Sequence, residues 1–124
     1  MEGLRMPRTL PEPSVDSFDL TVILSALADP GRRTLMRALY DSVDPIDCAI
    51  LVARVDLGLS NPTISHHYRV LREAGLTRTV ADGRKRVVRV RRDDMEHRFP
   101  GLLQAILGAP ERDGGQAEAR EERV

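Results

Sequence analysis

The sequence contains no tryptophan and only two phenylalanines and two tyrosines in 124 residues. With 41% hydrophobic residues but 3% aromatics, any core has to be aliphatic, built from Leu, Val, Ile and Ala. There is one cysteine, Cys48, which excludes an internal disulfide framework and fits a reducing compartment. No stretch approaches the roughly 20 apolar residues of a membrane span. The opening "MEGLRMPRTLPEPS" has three prolines and no apolar h-region, so it does not read as a signal peptide. A soluble, cytoplasmic protein is expected, with no membrane partner. Lysine is also scarce, Lys85 being the one example, and net charge is absent because 19 basic and 19 acidic side chains cancel.

That cancellation conceals a segregation. Residues 69–92 hold nine basic groups, Arg69, Arg72, Arg78, Arg84, Lys85, Arg86, Arg89, Arg91 and Arg92, against Glu73 and Asp82. The segment is thus at +7 and the rest of the chain at −7. Such a stretch inside a neutral chain is an electrostatic footprint for a polyanion. The plainer alternative is a solvated surface hairpin.

The length corresponds to one domain with roughly 30 residues to spare at its ends. Residues 1–14 read as a flexible arm and 108–124 as a polar tail, both too poor in apolar groups to pack. The folded domain is expected over 15–107. Its small size makes a core shared between two copies a natural expectation.

Within it the apolar spacing predicts a series of elements. In 14–28, capped by Ser14 or Asp16, the residues Val15, Phe18, Val22, Ile23, Ala26 and Leu27 fall at three-and-four spacing. Leu20 and Leu24 widen the stripe almost all round, as expected of a helix buried against two neighbours, one of them a second chain. A second helix, 29–42, opens with Asp29 as N-cap and Pro30 at the first helical position. A third, 44–60, repeats the Asp-Pro start and breaks at Gly58. The fourth starts at Ser60 or Asn61 with Pro62 in its first turn and is stopped by Gly75. Strands at 76–80 and 86–90 are joined by "ADGRK", and Asp-Gly is a hairpin signal. A last helix, 92–108, carries Met95, Phe99, Leu102, Leu103, Ile106 and Leu107, with Pro100 as a kink or break. The order α-α-α-α-β-β-α, mainly helical with a small antiparallel hairpin, describes a winged helix-turn-helix.

The stretch "SNPTISHHYRVLREAGL" carries the functional expectation. Ile64, Tyr68 and Leu71 share one face of its helix, with His67 at the edge. The opposite face presents Asn61, Pro62, Ser65, His66, Arg69 and Arg72, without an acidic group. A helix meant only for solvent usually mixes signs four residues apart. Short donors and acceptors near the N-terminus followed by arginines suit a helix that reads base edges in the major groove. Thr63 and the free N–H groups of the first turn suit a phosphate. At the hairpin tip Arg84, Lys85 and Arg86 are placed for the DNA backbone, while Val87 with Val88 or Val90 anchors the hairpin base. These contacts supply affinity rather than sequence choice.

Three segments, "LADPGRRTLMRAL", "LGLSNPTISHHYRVLREAGL" and "DGRKRVVRV", together resemble the ArsR/SmtB family of bacterial transcriptional repressors over about residues 18–92. Asn61 stands where the family pattern has Gln, and Tyr68 where it has Leu. The resemblance implies a winged-helix homodimer, paired through its first and last helices, that binds a palindromic operator and often releases it when a small molecule or metal binds. Phe18, Val22, Ile23, Phe99, Leu102, Leu103 and Ile106 are the interface residues it implies. The family's Cys-x-Cys metal element falls on Ala49 and Leu51, and its second site lacks the later His and Glu in "GLLQAILG". No cofactor is therefore expected, although Asp93, Asp94 and His97 form a nitrogen-and-oxygen set for zinc or nickel at a relocated site. The plainer reading of those three is a solvated acidic first turn. Cys48 is either a redox switch or a small buried hydrophobe.

The expected function is a sequence-specific, double-stranded-DNA-binding regulator, most naturally a repressor. The competing expectation is a protein-interaction module on a winged-helix scaffold that has lost DNA binding. An enzyme is not expected. There is no Ser-His-Asp or Cys-His arrangement with sensible context, no Gly-rich phosphate loop and no paired carboxylates in an evident pocket.

Overall fold

The structure, a computed structural model, describes residues 6–108. Strand β1 (Arg8–Thr9) and a single 3-10 turn (Val15–Ser17) precede helices α1 (Leu20–Leu27) and α2 (Pro30–Tyr40). Strand β2 (Ile46–Asp47), α3 (Cys48–Val55) and α4 (Asn61–Glu73) follow. The chain then forms β3 (Thr77–Asp82), β4 (Lys85–Val90), α5 (Arg92–Arg98) and α6 (Leu102–Leu107). This is a winged helix-turn-helix, mostly helical with a small antiparallel sheet.

Local chemistry explains most boundaries. Asp29 caps α2, its carboxylate accepting the Arg32 N–H at 2.9 Å, with Pro30 behind it. The expected first helix is shorter than 14–28. Asp19 caps it by accepting from the Thr21 N–H at 2.9 Å, and Phe18 just before it is extended and buried in the core. The third helix also starts later than expected. Ile46 and Asp47 are taken up as an edge strand against Val88 and Val87, so Asp47 rather than Asp44 becomes the cap. It ends at Asp56, whose φ of 46° is left-handed, before the expected breaker Gly58. The last helix is broken in two. Phe99, preceding a proline, leaves the helical region, and Gly101 follows with a φ of 83°.

The sheet is larger than the expected hairpin. Its four strands lie in the order β1-β3-β4-β2, all antiparallel. The hairpin loop is Gly83–Arg84 between the paired Asp82 and Lys85. Only Gly83 has a positive φ, 65°, the pattern of a type II′ turn rather than an Asp-Gly type I′ turn.

Ile23, Leu35, Met36, Leu39, Leu51, Leu71, Leu76, Val88 and Met95 form one fully buried aliphatic core. It fixes α4 and the base of the hairpin to the same body. The described part of the expected flexible arm is anchored to that body: Arg8 and Thr9 pair with Ala81 and Val80, and Leu10 is buried. Residues 1–5 and 109–124, which include nearly all of the expected tail, lie outside the described residues. Among the described residues no helix is long and apolar enough to cross a membrane.

The expected interface residues divide. Phe18, Ile23 and Leu103 are buried in the chain's own core. Phe99, Leu102 and Ile106 are half-buried. Val22 is 46% exposed, together with Leu20 at 42% and Leu24 at 44%. On α1 the two leucines border the buried stripe on one side and Val22 borders it on the other.

Candidate nucleic-acid interface

The turn from α3 into α4 is closed by Ser60, whose Oγ accepts the Thr63 N–H at 3.4 Å and lies 3.0 Å from the Thr63 hydroxyl. With Pro62 in the first turn, α4 emerges with Asn61, Pro62, Ser65, His66 and Arg69 exposed and Thr63 half-buried. Ile64, His67 and Leu71 face inward. Tyr68 is half-buried and donates its hydroxyl to the Cys48 carbonyl at 3.3 Å, tying α4 to α3. Arg69 donates to His66 Nδ1 at 3.2 Å, and because a guanidinium has no acceptor this leaves the ring proton on Nε2. Two neighbouring donors on one exposed face result.

The basic segment is not one uniform patch. Arg72 turns back to the Pro11 carbonyl at 3.1 Å. Arg78 binds Glu12, and the buried Arg91 donates to Asp94 at 2.9 Å and to the Pro13 carbonyl at 2.8 Å while lying over the Phe18 ring. Arg92 donates to the Tyr40 and Ser42 carbonyls and stacks on Tyr40. These four hold the fold together. Arg72, expected on the DNA face, is thus engaged with the arm. Arg84, Lys85, Arg86 and Arg89 are exposed on the hairpin, and Arg69 on α4. With β1 beside β3, the exposed Arg8 sits across from Ala81 near the same tip. Sequence reasoning missed it because a two-residue strand carries no periodicity.

It also missed how His67 is held. Arg32 donates to the Ala26 carbonyl at 2.6 Å and to His67 Nδ1 at 3.2 Å, while His67 Nε2 faces Asp29 at 3.8 Å. The ring is therefore neutral with its proton on Nε2. Burial lowers its pKa below the ordinary histidine value, and although Asp29 pulls the other way, Arg32 adds to the lowering. Burial would raise the Asp29 carboxyl, but the Arg32 N–H and the Arg32 charge outweigh it and hold it below the ordinary value. The cluster locks the N-terminus of α2 to the inner face of α4.

The remaining candidates are not assembled for chemistry. Asp94 is occupied by Arg91 and lies 3.8 Å from Arg78, whereas Asp93 and His97 are exposed. Among the described residues no three His, Cys, Asp or Glu side chains are grouped to hold a metal. Cys48 is half-buried, and burial, aided by Asp47, pushes its thiol up to about 11.

Comparison with known proteins gives a consistent picture. Residues 55–79, the end of α3 through the start of β3, match the family described as bacterial regulatory protein, arsR family. The chain is 34% identical over 84 residues to the uncharacterized HTH-type transcriptional regulator YceK of Bacillus subtilis (strain 168), covering 68% of this chain and 82% of that protein. A solved ArsR family transcriptional regulator shares the fold, with a TM-score of 0.57 at 24% identity over 73% of this chain and 98% of that one.

Proposed function

The chain belongs to the ArsR family of bacterial transcriptional regulators, and on that premise we propose that it is a dimeric repressor that binds a palindromic operator and releases it when a ligand binds. The observation that carries this reading is that α4 and the cationic wing tip border one groove. Asn61 and Ser65, on the exposed face of α4 that has no acidic group from Asn61 to Arg72, line it together with the exposed Arg84, Lys85 and Arg86 of the wing. In this reading Asn61, Ser65, His66 and Arg69 address base edges, Pro62 and Thr63 fit the first turn against the backbone, and the wing tip holds phosphates. The dimer forms through α1, where Leu20, Val22 and Leu24 leave apolar surface uncovered, and through the half-buried Phe99, Leu102 and Ile106 of the last two helices.

The test is to incubate the full chain with a random pool of duplex DNA at physiological salt and sequence what is retained. Enrichment of a palindrome with half-sites about one helical turn apart is expected. Retention without enrichment would leave backbone binding alone. The absence of any retention would remove the DNA reading and favour a protein partner.

A further inference from the structure

Between α3, α4 and the hairpin lies an open groove of about 710 Å³, the size of a small-molecule site. Its walls differ in chemistry. On one side Cys48, Val52 and Ala53 of α3 meet Ile64 and Tyr68 of α4 in a largely apolar surface, with Asp47 at its edge accepting the Ala49 N–H. On the other stand Thr79 and the cationic Arg84, Lys85 and Arg86. Thr79 is 97% buried by its 3% exposure, and its Oγ1 has no hydrogen-bond partner among the described residues. A buried hydroxyl without a partner is unfavourable and invites an acceptor. Thr77 is likewise unpartnered but does not line the groove. The sheet register explains how the Thr79 hydroxyl and a cation come together. Thr79 pairs with Val88 and Ala81 with Arg86, so Thr79 and Arg86 are diagonal neighbours on one face of the hairpin.

We propose that this groove is the ligand site of the regulator, and that it takes a small amphiphilic carboxylate. The carboxylate accepts from the Thr79 hydroxyl and the Arg86 guanidinium, and the apolar body lies along Val52, Ala53, Ile64 and Tyr68. The groove is also lined by Asn61 and Ser65 of the exposed α4 face. An occupant therefore stands where DNA must approach, and release follows by direct competition. This consequence rests on the DNA-binding reading, whereas the ligand chemistry does not.

The test titrates the full chain with decanoate by calorimetry, and in parallel follows its binding to a labelled random-sequence duplex by anisotropy. One decanoate per chain is expected, bound about tenfold or more tighter than decyltrimethylammonium, which has the same tail and the opposite charge. Thr79→Val weakens decanoate about tenfold, the loss of one hydrogen bond to a charged group, while the melting temperature does not fall and the duplex affinity is unchanged. Ala53→Trp, on an exposed position of α3, fills the groove and abolishes decanoate binding. Rising decanoate displaces duplex from the unaltered chain, and about tenfold more is needed for Thr79→Val. Equal binding of anion and cation, or decanoate affinity indifferent to both variants, overturns the assignment. Duplex binding without saturable decanoate binding overturns it too, while leaving the regulator reading intact. Decanoate binding without duplex binding supports the groove and removes the regulator reading.

Discussion

Glu12 and Arg78, 66 positions apart, meet in a two-pronged ion pair: the carboxylate accepts Nε at 3.0 Å and Nη2 at 2.6 Å. Arg91 approaches the same carboxylate at 3.6 Å, and Asp94 closes the group from α5. The amino-terminal segment, the base of the wing and the last helices are thereby joined in one charge network. Forked pairing of this kind is more directional than a single lysine contact.

Replacing Glu12 by Ala strands Arg78 and the almost fully buried Arg91 with one remaining carboxylate. Arg78 is 29% exposed, so solvent repays part of the loss. A destabilisation of about 2 kcal/mol is expected, less than for a fully buried pair, and a fall in melting temperature of roughly 10 °C. Thermal unfolding followed by circular dichroism measures it. An unchanged melting temperature would mean that the arm does not hold this position in solution.

Gly75 ends α4 with a φ of 91°, and a Cβ placed there would enter the Phe18 ring. Gly75→Ala therefore combines left-handed backbone strain with overpacking, together about 3 kcal/mol. Phe18→Leu in the same chain relieves the second contribution and not the first. A double-mutant cycle in urea should therefore show a favourable coupling of about 1 kcal/mol or more. Strict additivity would contradict the packing relationship.

Legibility in the sequence followed the range of the interaction. Asp29–Pro30 and Ser60–Pro62 announce helix starts because a cap acts within three residues, and both starts stand where expected. The strand at Ile46–Asp47 was not legible, since two residues have no period and their partners Val88 and Val87 lie some forty positions on. Charge counting located the basic segment but could not divide it. Arg84 and Arg91 are the same residue type seven positions apart, yet one is exposed at the tip and the other buried beside Phe18. Only the fold, by bringing Glu12 and Asp94 to Arg78 and Arg91, separates structural arginines from those left for a partner. The exposed face of α4 was legible because 3.6-residue periodicity sorts it without long-range information.

His67 gives stability a dependence on pH with a definite sign. Its pKa is lowered in the folded chain, so between the folded and unfolded values the unfolded chain binds more protons. Stability is then full above the ordinary histidine value of 6.5 and falls as pH drops through and below it. Asp29, also lowered, contributes stability that is lost only at lower pH, below the ordinary value of 3.8. Urea midpoints measured from pH 7.5 down to 5.5 should therefore decline, and His67→Gln should flatten that decline. A slope of opposite sign would mean that the ring is protonated in the fold and held by Asp29 against Arg32.

The division of labour between α4 and the wing is open to a paired measurement. Arg69 projects from the exposed face, steadied by its bond to His66, where a guanidinium reads guanine through two hydrogen bonds. Arg69→Ala should cost about 1–3 kcal/mol on the enriched operator and much less on unrelated duplex, relaxing sequence preference at one base pair. Lys85 is exposed beside the hairpin loop, where it meets phosphates. Lys85→Ala should weaken operator and unrelated duplex alike, and lower the slope of log K against log salt by about one for each such contact. Anisotropy titrations at several salt concentrations separate the two cases. A Lys85 variant that changes base preference, or an Arg69 variant that changes only the salt slope, would reverse the roles assigned to helix and wing.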